Sequence, residues 1–329
     1  MTSPSTETSP AFWSLGNGHG EIAAGQVIHD ADEEAWVEVE TLYSAISRGT
    51  EALVFNGEVP ESEYQRMRAP FQQGDFPGPV RFGYMNVGRV VGGRVDLVGK
   101  HVFCLFPHQK HYRVPASAVT PLPEGVPPER AVLAANMETA INGLWDGGPL
   151  VGDRIAVVGC GVVGCLVAWL ARRIPGARVT AIDPNPHRQA LLDSLGVRWA
   201  GSSEEDDHDL IFHTSGHPAG LDSALALAGN EARIIEMSWY GRQTVPASLG
   251  GGFHSRRLTL RSSQVGQVSP QQAPRWSHGD RMALALSLLA EPSLDALITG
   301  ESHFSELPDV MQAQAAGASD TLCHRIYYS

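Results

Sequence analysis

The sequence predicts an α/β protein that also contains a β-rich region, and two observations carry this prediction. Residues 20–120 read as short strands interrupted by glycine and proline, as in a small β barrel or sandwich. Between residues 140 and 275, buried strands alternate with helices, which implies right-handed βαβ units and a parallel sheet. The chain of 329 residues is long enough for two domains.

Several segments in the first half of the chain have strand character. The segment "AWVEVETLYSAI" alternates apolar and polar residues, which is typical of a half-buried strand. The segments "NVGRVVGG", "KHVFCLF" and "HYRVPASAV" follow the same pattern. The polar start of the chain has no basic segment and no apolar stretch, so residues 1–10 are predicted to be a disordered tail rather than a secretory signal.

The second half of the chain starts with a helical pattern, "PPERAVLAANMETAINGLWDGG". Alternating strands and helices follow, from the buried strand "DRIAVVG" and the helix "VVGCLVAWLARRIPG" to the strand "ARIIEMSW". A further helix, "DRMALALSLLAEP", leads into a mixed C-terminal segment. The alternation predicts a doubly wound parallel sheet.

Composition and charge narrow the classes of partner. The formal net charge of −12 argues against a nucleic-acid groove, which needs clustered lysine and arginine. No apolar run reaches the length of a membrane span. The four cysteines, Cys104, Cys160, Cys165 and Cys323, form no C-x-x-C pair, so we expect buried thiols in a reducing cytoplasm. A small-molecule substrate is the partner that remains.

A glycine motif carries the strongest functional signal. Gly159, Gly161 and Gly164 fit G-x-G-x-x-G and enclose Val162 and Val163. The motif follows the strand "RIAVV" and opens a helix, which is the Rossmann context. The first glycine allows the tight turn, the second lets the backbone approach a pyrophosphate, and the third lets helix and strand pack closely. The helix N-terminus would hold the pyrophosphate charge.

An acid follows at the expected spacing. Asp183 ends the next strand, where a carboxylate accepts hydrogen bonds from both hydroxyls of the adenosine ribose. It would repel a 2′-phosphate, so NAD(H) is preferred over NADP(H), although Arg188 could reach the same region. Ser215, after the strand "HDLIFH", is a further candidate cofactor contact. A methyltransferase that uses S-adenosylmethionine is a rival interpretation, but its glycine loop carries an early acid that is missing before Gly159.

The strings "ISRGTE", "GYMNVGRVVG", "METAINGLWDGG" and "SSQVG" resemble the medium-chain dehydrogenase/reductase superfamily. They look most like its threonine-dehydrogenase-like subgroup, which includes the bacteriochlorophyllide hydroxyethyl dehydrogenases. The resemblance runs from about residue 20 to the C-terminus. It implies a GroES-like catalytic domain over residues 11–140, a Rossmann NAD-binding domain over 141–275, and a return to the catalytic domain over 276–329.

The resemblance also implies a cleft between the two domains and a homodimer formed through the cofactor domains. Thr139 matches the superfamily's threonine that contacts nicotinamide, and Asn142 lies on the same helix. Both are therefore expected to face the cofactor.

Three positions that hold zinc ligands in the zinc members of the superfamily carry other residues in this sequence. Arg48 stands for the cysteine of C-G-[ST]-D, Tyr84 follows Gly83 where zinc members have G-H-E, and Ala135 lies near the third ligand position. A guanidinium, a phenol and a methyl group are not zinc ligands, so we predict no zinc. We expect His101, His108 and His111 to be surface or hydrogen-bonded histidines rather than a new metal site.

Without a metal, hydrogen-bond donors must manage the charge on the substrate oxygen. Tyr84 could donate to a carbonyl or, with a lowered pKa, accept the proton of an alcohol, and Arg48 could lower that pKa or bind an anionic substrate. Thr50 matches the hydroxyl residue that relays protons in zinc members. Two alternatives stay open: Tyr84 only fills space, and Arg48 pairs with Glu51 or Glu138.

Three functional hypotheses follow. The first is a zinc-independent, NAD(H)-dependent oxidoreductase that interconverts a secondary alcohol and a ketone. The second is an NAD(P)H-dependent enoyl or quinone reductase. The third is a dinucleotide-binding protein without catalysis.

Overall fold

A computed structural model of the protein describes residues 7–27, 36–202 and 207–329. These residues form two compact units. The β-rich unit contains the described residues up to Ala135, together with Leu286–Pro292 and Ile298–Ser329. The α/β unit contains Asn136–Ala285 and Ser293–Leu297. The functional roles predicted for the two domains stay predictions.

The strands, in chain order, are β1 (Thr8–Ser14), β2 (Gly20–Gln26), β3 (Trp36–Ile46), β4 (Gln73–Gly74), β5 (Val80–Arg81), β6 (Asn86–Gly93), β7 (His101–Cys104), β8 (His111–Pro115), β9 (Val119–Pro121), β10 (Arg154–Val158), β11 (Arg178–Ile182), β12 (Arg198–Ala200), β13 (His208–His213), β14 (Ala228–Glu236), β15 (Thr259–Ser262), β16 (Ile298–His303) and β17 (Cys323–Tyr327).

The α-helices are α1 (Arg48–Phe55), α2 (Pro128–Ala131), α3 (Ala134–Gly147), α4 (Val162–Ala171), α5 (Arg188–Ser194), α6 (Pro218–Leu227), α7 (His278–Leu288) and α8 (Leu307–Ala315). Short helical turns occur at Glu61–Glu63, Ala116–Ala118, Leu249–Phe253, Pro292–Leu297 and Phe304–Glu306. No helix among the described residues is both long enough and apolar enough to cross a membrane.

The β-rich unit contains two sheets. One has the strand order β2-β1-β5-β4, and the other has the order β16-β17-β3-β6-β7-β9, with β8 paired to β3. Strand β1 begins at Thr8 and pairs with β2, so the prediction of a disordered tail over residues 1–10 is wrong for residues 8–10. The ladder with β2 supplies the backbone hydrogen bonds that a polar composition alone does not reveal. Residues 1–6 lie outside the described residues.

The α/β unit contains one six-stranded parallel sheet with the order β12-β11-β10-β13-β14-β15. This order confirms the doubly wound sheet predicted from the alternation of strands and helices. Strand β10 lies at its switch point, because the chain proceeds to β11 on one side and later returns to β13 on the other. In the sheet register, Val158 pairs with Ile182 and with His213, and His213 pairs with Glu236. The carboxyl ends of four strands therefore meet at one edge.

The cores explain why these segments form strands and helices. In β10, Ile155, Ala156 and Val157 have no exposed surface, as expected for a central parallel strand covered on both faces. Leu221 and Ala224 on α6 pack into the same apolar cluster. The four cysteines are free and buried, as the sequence predicts.

Candidate functional site

The glycine motif forms the turn between β10 and α4. Gly159 has a φ of +98°, and a Cβ there would lie 2.6 Å from the backbone of Ser215. A Cβ on Gly164 would lie 1.9 Å from the carbonyl oxygen of Gly159, so only glycine lets the helix approach the turn. Gly161 faces open space. Val162 and Val163 begin α4. The turn therefore has the close packing and the open face that a bound pyrophosphate requires.

Asp183 is held against this turn. One carboxylate oxygen, Oδ2, accepts the N–H of Cys160 at 2.7 Å, and Oδ1 accepts the N–H of Asn185 at 2.9 Å. Each carboxylate oxygen can accept a further hydrogen bond, because a carboxylate has about four acceptor sites. The residues present therefore fit a dinucleotide whose ribose binds at the end of β11.

Arg188, at the start of α5, is buried. Burial raises the pKa of the Cys160 thiol, and it raises that of Cys165 to about 12. The Arg188 guanidinium opposes both shifts. The positive charge of Arg188 therefore acts on two thiols in and beside the glycine motif, close to the predicted ribose site.

The residues predicted on α3 divide into two groups. Thr139 is half-buried. Asn142 is buried, donates to Asp146 Oδ2 at 3.2 Å and accepts hydrogen bonds from Arg281 and from the N–H of Ser269. Asn142 thus bonds within the α/β unit, and its contact with nicotinamide stays a prediction.

A serine–histidine–glutamate triad lies at the carboxyl edge of the same sheet, and we call it the open triad. His213 Nδ1 is 2.7 Å from Glu236 Oε2, and His213 Nε2 is 2.6 Å from Ser215 Oγ. The His213 side chain has no exposed surface, whereas Ser215 is exposed. The hydroxyl of Tyr240 donates to Glu236 Oε2 at 3.1 Å. Of these residues only Ser215 is a candidate from the sequence, although a histidine at the end of an apolar strand signals a buried partner.

In the β-rich unit, Tyr84 belongs to a hydroxyl cluster with Ser47 and Thr50. Its phenol donates to Ser47 Oγ at 2.7 Å. Burial and the charge of Glu51 raise the pKa of Tyr84 to about 12, against the opposing hydrogen bonds of Ser47 and Thr50. The expectation that Arg48 lowers this pKa is therefore wrong.

Arg48 is directed elsewhere. Its Nη1 donates to the carbonyl oxygens of Ser319 and Thr321, each at 3.3 Å. Glu51 accepts the N–H of Ser47 at 2.7 Å and contacts His108, and Glu138 pairs with Arg281 at 3.1 Å. Glu51 thus bonds Ser47 and His108, and the alternative that Arg48 pairs with Glu51 or Glu138 stays a prediction. Burial raises the pKa of Glu138, and Arg281 opposes that shift.

A second serine–histidine–glutamate triad is enclosed in the β-rich unit, and we call it the closed triad. His108 Nε2 is 2.9 Å from Glu51 Oε2, and His108 Nδ1 is 2.7 Å from Ser44 Oγ. Ser44 also contacts the hydroxyl of Tyr328 at 2.9 Å. None of the triad side chains is more than 3% exposed. A Cβ on Gly83, which has a φ of +134°, would lie 3.1 Å from the His108 ring.

One group of histidine and acid side chains among the described residues has the spacing of a metal site. Glu7, Glu38 and His111 bring their ligand atoms within 4.8 Å of one another. His111 Nε2 contacts Glu38 Oε1 at 2.7 Å, and the guanidinium of Arg113 lies 3.3 Å from the same carboxylate. The positive charge of Arg113 opposes a cation there. His101 is exposed and His108 is hydrogen-bonded, as the sequence predicts.

Comparisons with known proteins extend these observations. No protein-family model matches the chain. The chain is 28% identical over 167 residues to an L-threonine 3-dehydrogenase of Bacillus velezensis, and the match covers 43% of this chain and 48% of that protein. It therefore spans about half the length of that relative. In structure, the chain is similar to L-idonate 5-dehydrogenase from Escherichia coli, with a TM-score of 0.77 and 15% identity over 98% of this chain and 99% of that chain.

A further solved structure is a short chain alcohol dehydrogenase from Escherichia coli CFT073, complexed with cofactor NADH. Its TM-score is 0.76 at 15% identity, over 98% of this chain and all of that chain. The structural likenesses confirm the predicted fold class, a GroES-like domain and a Rossmann domain. Together with the threonine dehydrogenase relative, they support the medium-chain dehydrogenase/reductase superfamily.

Proposed function

We propose that this protein is an NAD(H)-dependent oxidoreductase that interconverts a secondary alcohol and a ketone without a zinc ion. The observation that carries the proposal is the bond between Asp183 and the N–H of Cys160, which holds a ribose-binding acid on the glycine turn. The relatives named as dehydrogenases of L-threonine and L-idonate support an oxidoreductase.

Preference for NAD(H) follows from the charge of Asp183. Its carboxylate can accept hydrogen bonds from ribose hydroxyls, whereas a 2′-phosphate would meet like charge. Because enoyl and quinone reductases of the superfamily favour NADPH, Asp183 also favours the alcohol–ketone reaction over theirs.

The chemistry of the residues at the three substituted ligand positions supports zinc independence. Arg48 is cationic and bonds two carbonyl oxygens, Tyr84 donates its phenol proton to Ser47, and Ala135 has no donor atom. Zinc in proteins is bound by thiolate, imidazole or carboxylate. Glu51, the acid that ends the string Arg48-Gly49-Thr50-Glu51, is already bonded to His108.

Tyr84 supplies the acid in this proposal. The phenol is protonated at neutral pH, and its hydroxyl can donate to a substrate carbonyl oxygen in place of Ser47 Oγ. The reduced nicotinamide supplies a hydride when it is bound. The hydroxyls of Ser47 and Thr50 can relay a proton from water to Tyr84 after it has given its own to the substrate. The phenol donates this proton in ketone reduction, and its conjugate base accepts it in alcohol oxidation.

Cofactor binding tests the proposal most directly. We expect Asp183→Asn to weaken NADH binding by roughly 10-fold to 100-fold, because a hydrogen bond to a charged group contributes about 1.5–3 kcal/mol. The matched control is Asp193→Asn, on the exposed surface of α5. Fluorescence titration with NADH and NADPH measures both variants. Absence of NADH binding to the wild-type protein at millimolar concentration would refute the proposed function.

Metal content tests the zinc-independent part separately. Elemental analysis of the purified protein should find well below one zinc per chain, and a chelator should leave ketone reduction unchanged. One bound zinc per chain would contradict the argument from the ligand positions. A homodimer and a cytoplasmic location stay predictions of the sequence.

A further inference from the structure

We propose that His213 and Glu236 are positioning residues that hold the hydroxyl of Ser215 as a hydrogen-bond acceptor for the ribose beside the nicotinamide. This inference rests on the proposed function, because it assumes that the α/β unit binds a dinucleotide. It assigns a role to the open triad, which the cofactor motif does not include.

The position of Ser215 identifies the part of the dinucleotide. Ligands of doubly wound sheets bind at the switch point, beyond the carboxyl ends of the strands. The backbone of Ser215 would lie 2.6 Å from a Cβ on Gly159, so the serine flanks the glycine turn. Asp183 follows β11 on one side of β10, and Ser215 follows β13 on the other. With the pyrophosphate on the turn, the adenosine ribose lies toward Asp183 and the second ribose toward Ser215.

Glu236 determines which nitrogen of His213 carries a proton. Although burial opposes it, the hydrogen bond from His213 holds the pKa of the Glu236 carboxyl below its usual value. An ionised carboxylate only accepts, so His213 Nδ1 must donate to Oε2 across 2.7 Å. In the neutral ring Nε2 is then without a proton. It accepts the O–H of Ser215 at 2.6 Å.

The remaining bonds of the Glu236 carboxylate fix its orientation. Oε1 accepts the N–H of Ser238 at 2.8 Å, and Oε2 also accepts the phenol of Tyr240 at 3.1 Å. Both oxygens are thus satisfied while the His213 side chain is fully buried. Turning the His213 ring away from Ser215 would break its buried hydrogen bond to Glu236.

The Ser215 hydroxyl lies 2.6 Å from His213 Nε2 and 3.4 Å from the carbonyl oxygen of His217, so its proton goes to the closer nitrogen and its oxygen is left to accept. It accepts the N–H of His217 at 3.1 Å, which leaves one further acceptor site. A ribose hydroxyl can donate to that site, whereas a phosphate oxygen cannot. The open triad therefore selects a hydroxyl at this end of the dinucleotide.

The same geometry argues against Ser215 as a nucleophile for acyl transfer. That chemistry requires free backbone amides to stabilise an oxyanion beside the serine. The N–H of Gly216 donates to Ser238 Oγ at 3.1 Å, and the N–H of His217 donates to Ser215 itself. The two amides that follow the serine are both engaged.

The experiment is a double-mutant cycle read by calorimetric binding of ADP-ribose and ADP to the full chain. ADP lacks the second ribose. We expect Ser215→Ala and Glu236→Gln each to weaken ADP-ribose binding roughly fivefold to tenfold, as for one lost hydrogen bond, with ADP binding unchanged. The amide of glutamine can donate to Nδ1, so the proton moves to Nε2 and Ser215 loses its fixed role. The double variant should bind no more weakly than Ser215→Ala alone, because Glu236 acts through Ser215.

Matched controls are Glu231→Gln, on the exposed surface of the same strand β14, and Ser223→Ala, exposed on α6. Both should bind ADP-ribose like the wild-type protein. Additive losses in the double variant, or equal weakening of ADP, would overturn the inference while leaving the proposed function standing. Covalent labelling of Ser215 by a fluorophosphonate would also overturn it, since that shows a nucleophile. Failure of the wild-type protein to bind either ligand would instead refute the proposed function.

Discussion

The closed and the open triad share one set of groups in two different settings. In each, a buried histidine contacts a glutamate through one ring nitrogen and a serine through the other. Ser44 of the closed triad is fully buried and is bonded to Tyr328, whereas Ser215 of the open triad is exposed at the edge of a sheet. The surroundings of the serine therefore separate the two triads, because Ser44 is enclosed in the fold whereas Ser215 is accessible to a ligand.

Removing the carboxylate of the closed triad should have the largest effect. We expect Glu51→Ala to lower the free energy of unfolding by about 3–5 kcal/mol, because it leaves His108 without its buried partner. Urea denaturation of this variant beside Glu236→Ala measures the contrast. If Glu236→Ala proves the more destabilising of the two, the distinction between the triads is wrong.

Loss of the Tyr84 hydroxyl should come next. The closed triad reaches Tyr84 through Glu51, whose other oxygen binds the N–H of Ser47. We expect Tyr84→Phe to lower turnover in ketone reduction at least about 100-fold, which is the lower range for general acid catalysis. Affinity for NADH should stay the same. Unchanged turnover would show that Tyr84 only fills space.

Truncating the two serines compares the triads directly. Ser44→Ala should lower the free energy of unfolding by about 1–3 kcal/mol, since it leaves the buried Nδ1 of His108 and the Tyr328 hydroxyl without a partner. Ser215→Ala should lower it less than Ser44→Ala does, because Ser215 is exposed and water can take the place of its hydroxyl beside His213 Nε2. Thermal and urea denaturation of both variants give the answer, and equal losses would contradict it.

The smallest effect concerns alkaline pH. Tyr84 has a pKa of about 12 in the folded protein and about 10 when unfolded. Its raised pKa therefore contributes stability that is present below pH 10 and is lost as the pH rises toward 12. The free energy of unfolding should fall more steeply above pH 10 in the wild-type protein than in Tyr84→Phe. Parallel curves would mean that the phenol is not shifted.

Local patterns made part of the candidate site predictable. Gly159, Gly161 and Gly164 lie within one turn, and Asp183 ends the next strand, so their proximity follows from the βαβ unit itself. The doubly wound order followed in the same way from the alternation of strands and helices.

The two triads were not predictable, because they depend on pairing over long distances in the sequence. His213 meets Glu236 only through the register of β13 with β14, and Glu51 meets His108 across 57 positions. The direction of the shift in the Tyr84 pKa was predicted wrongly because it too depends on contacts that the local sequence does not reveal. Arg48 lies on the neighbouring helix in sequence, yet it bonds the carbonyls of Ser319 and Thr321, 271 and 273 positions away.

The bonds of Arg48 also bear on how the chain could change over evolutionary time. A mutation to cysteine at this position would restore one ligand of a zinc enzyme, but it would also remove the donor from two carbonyl groups of the C-terminal segment. The two further ligand positions, Tyr84 and Ala135, would need changes of their own before a metal could bind. On the zinc-free proposal, a cysteine at position 48 would therefore cost two hydrogen bonds to the C-terminal segment before any metal could bind.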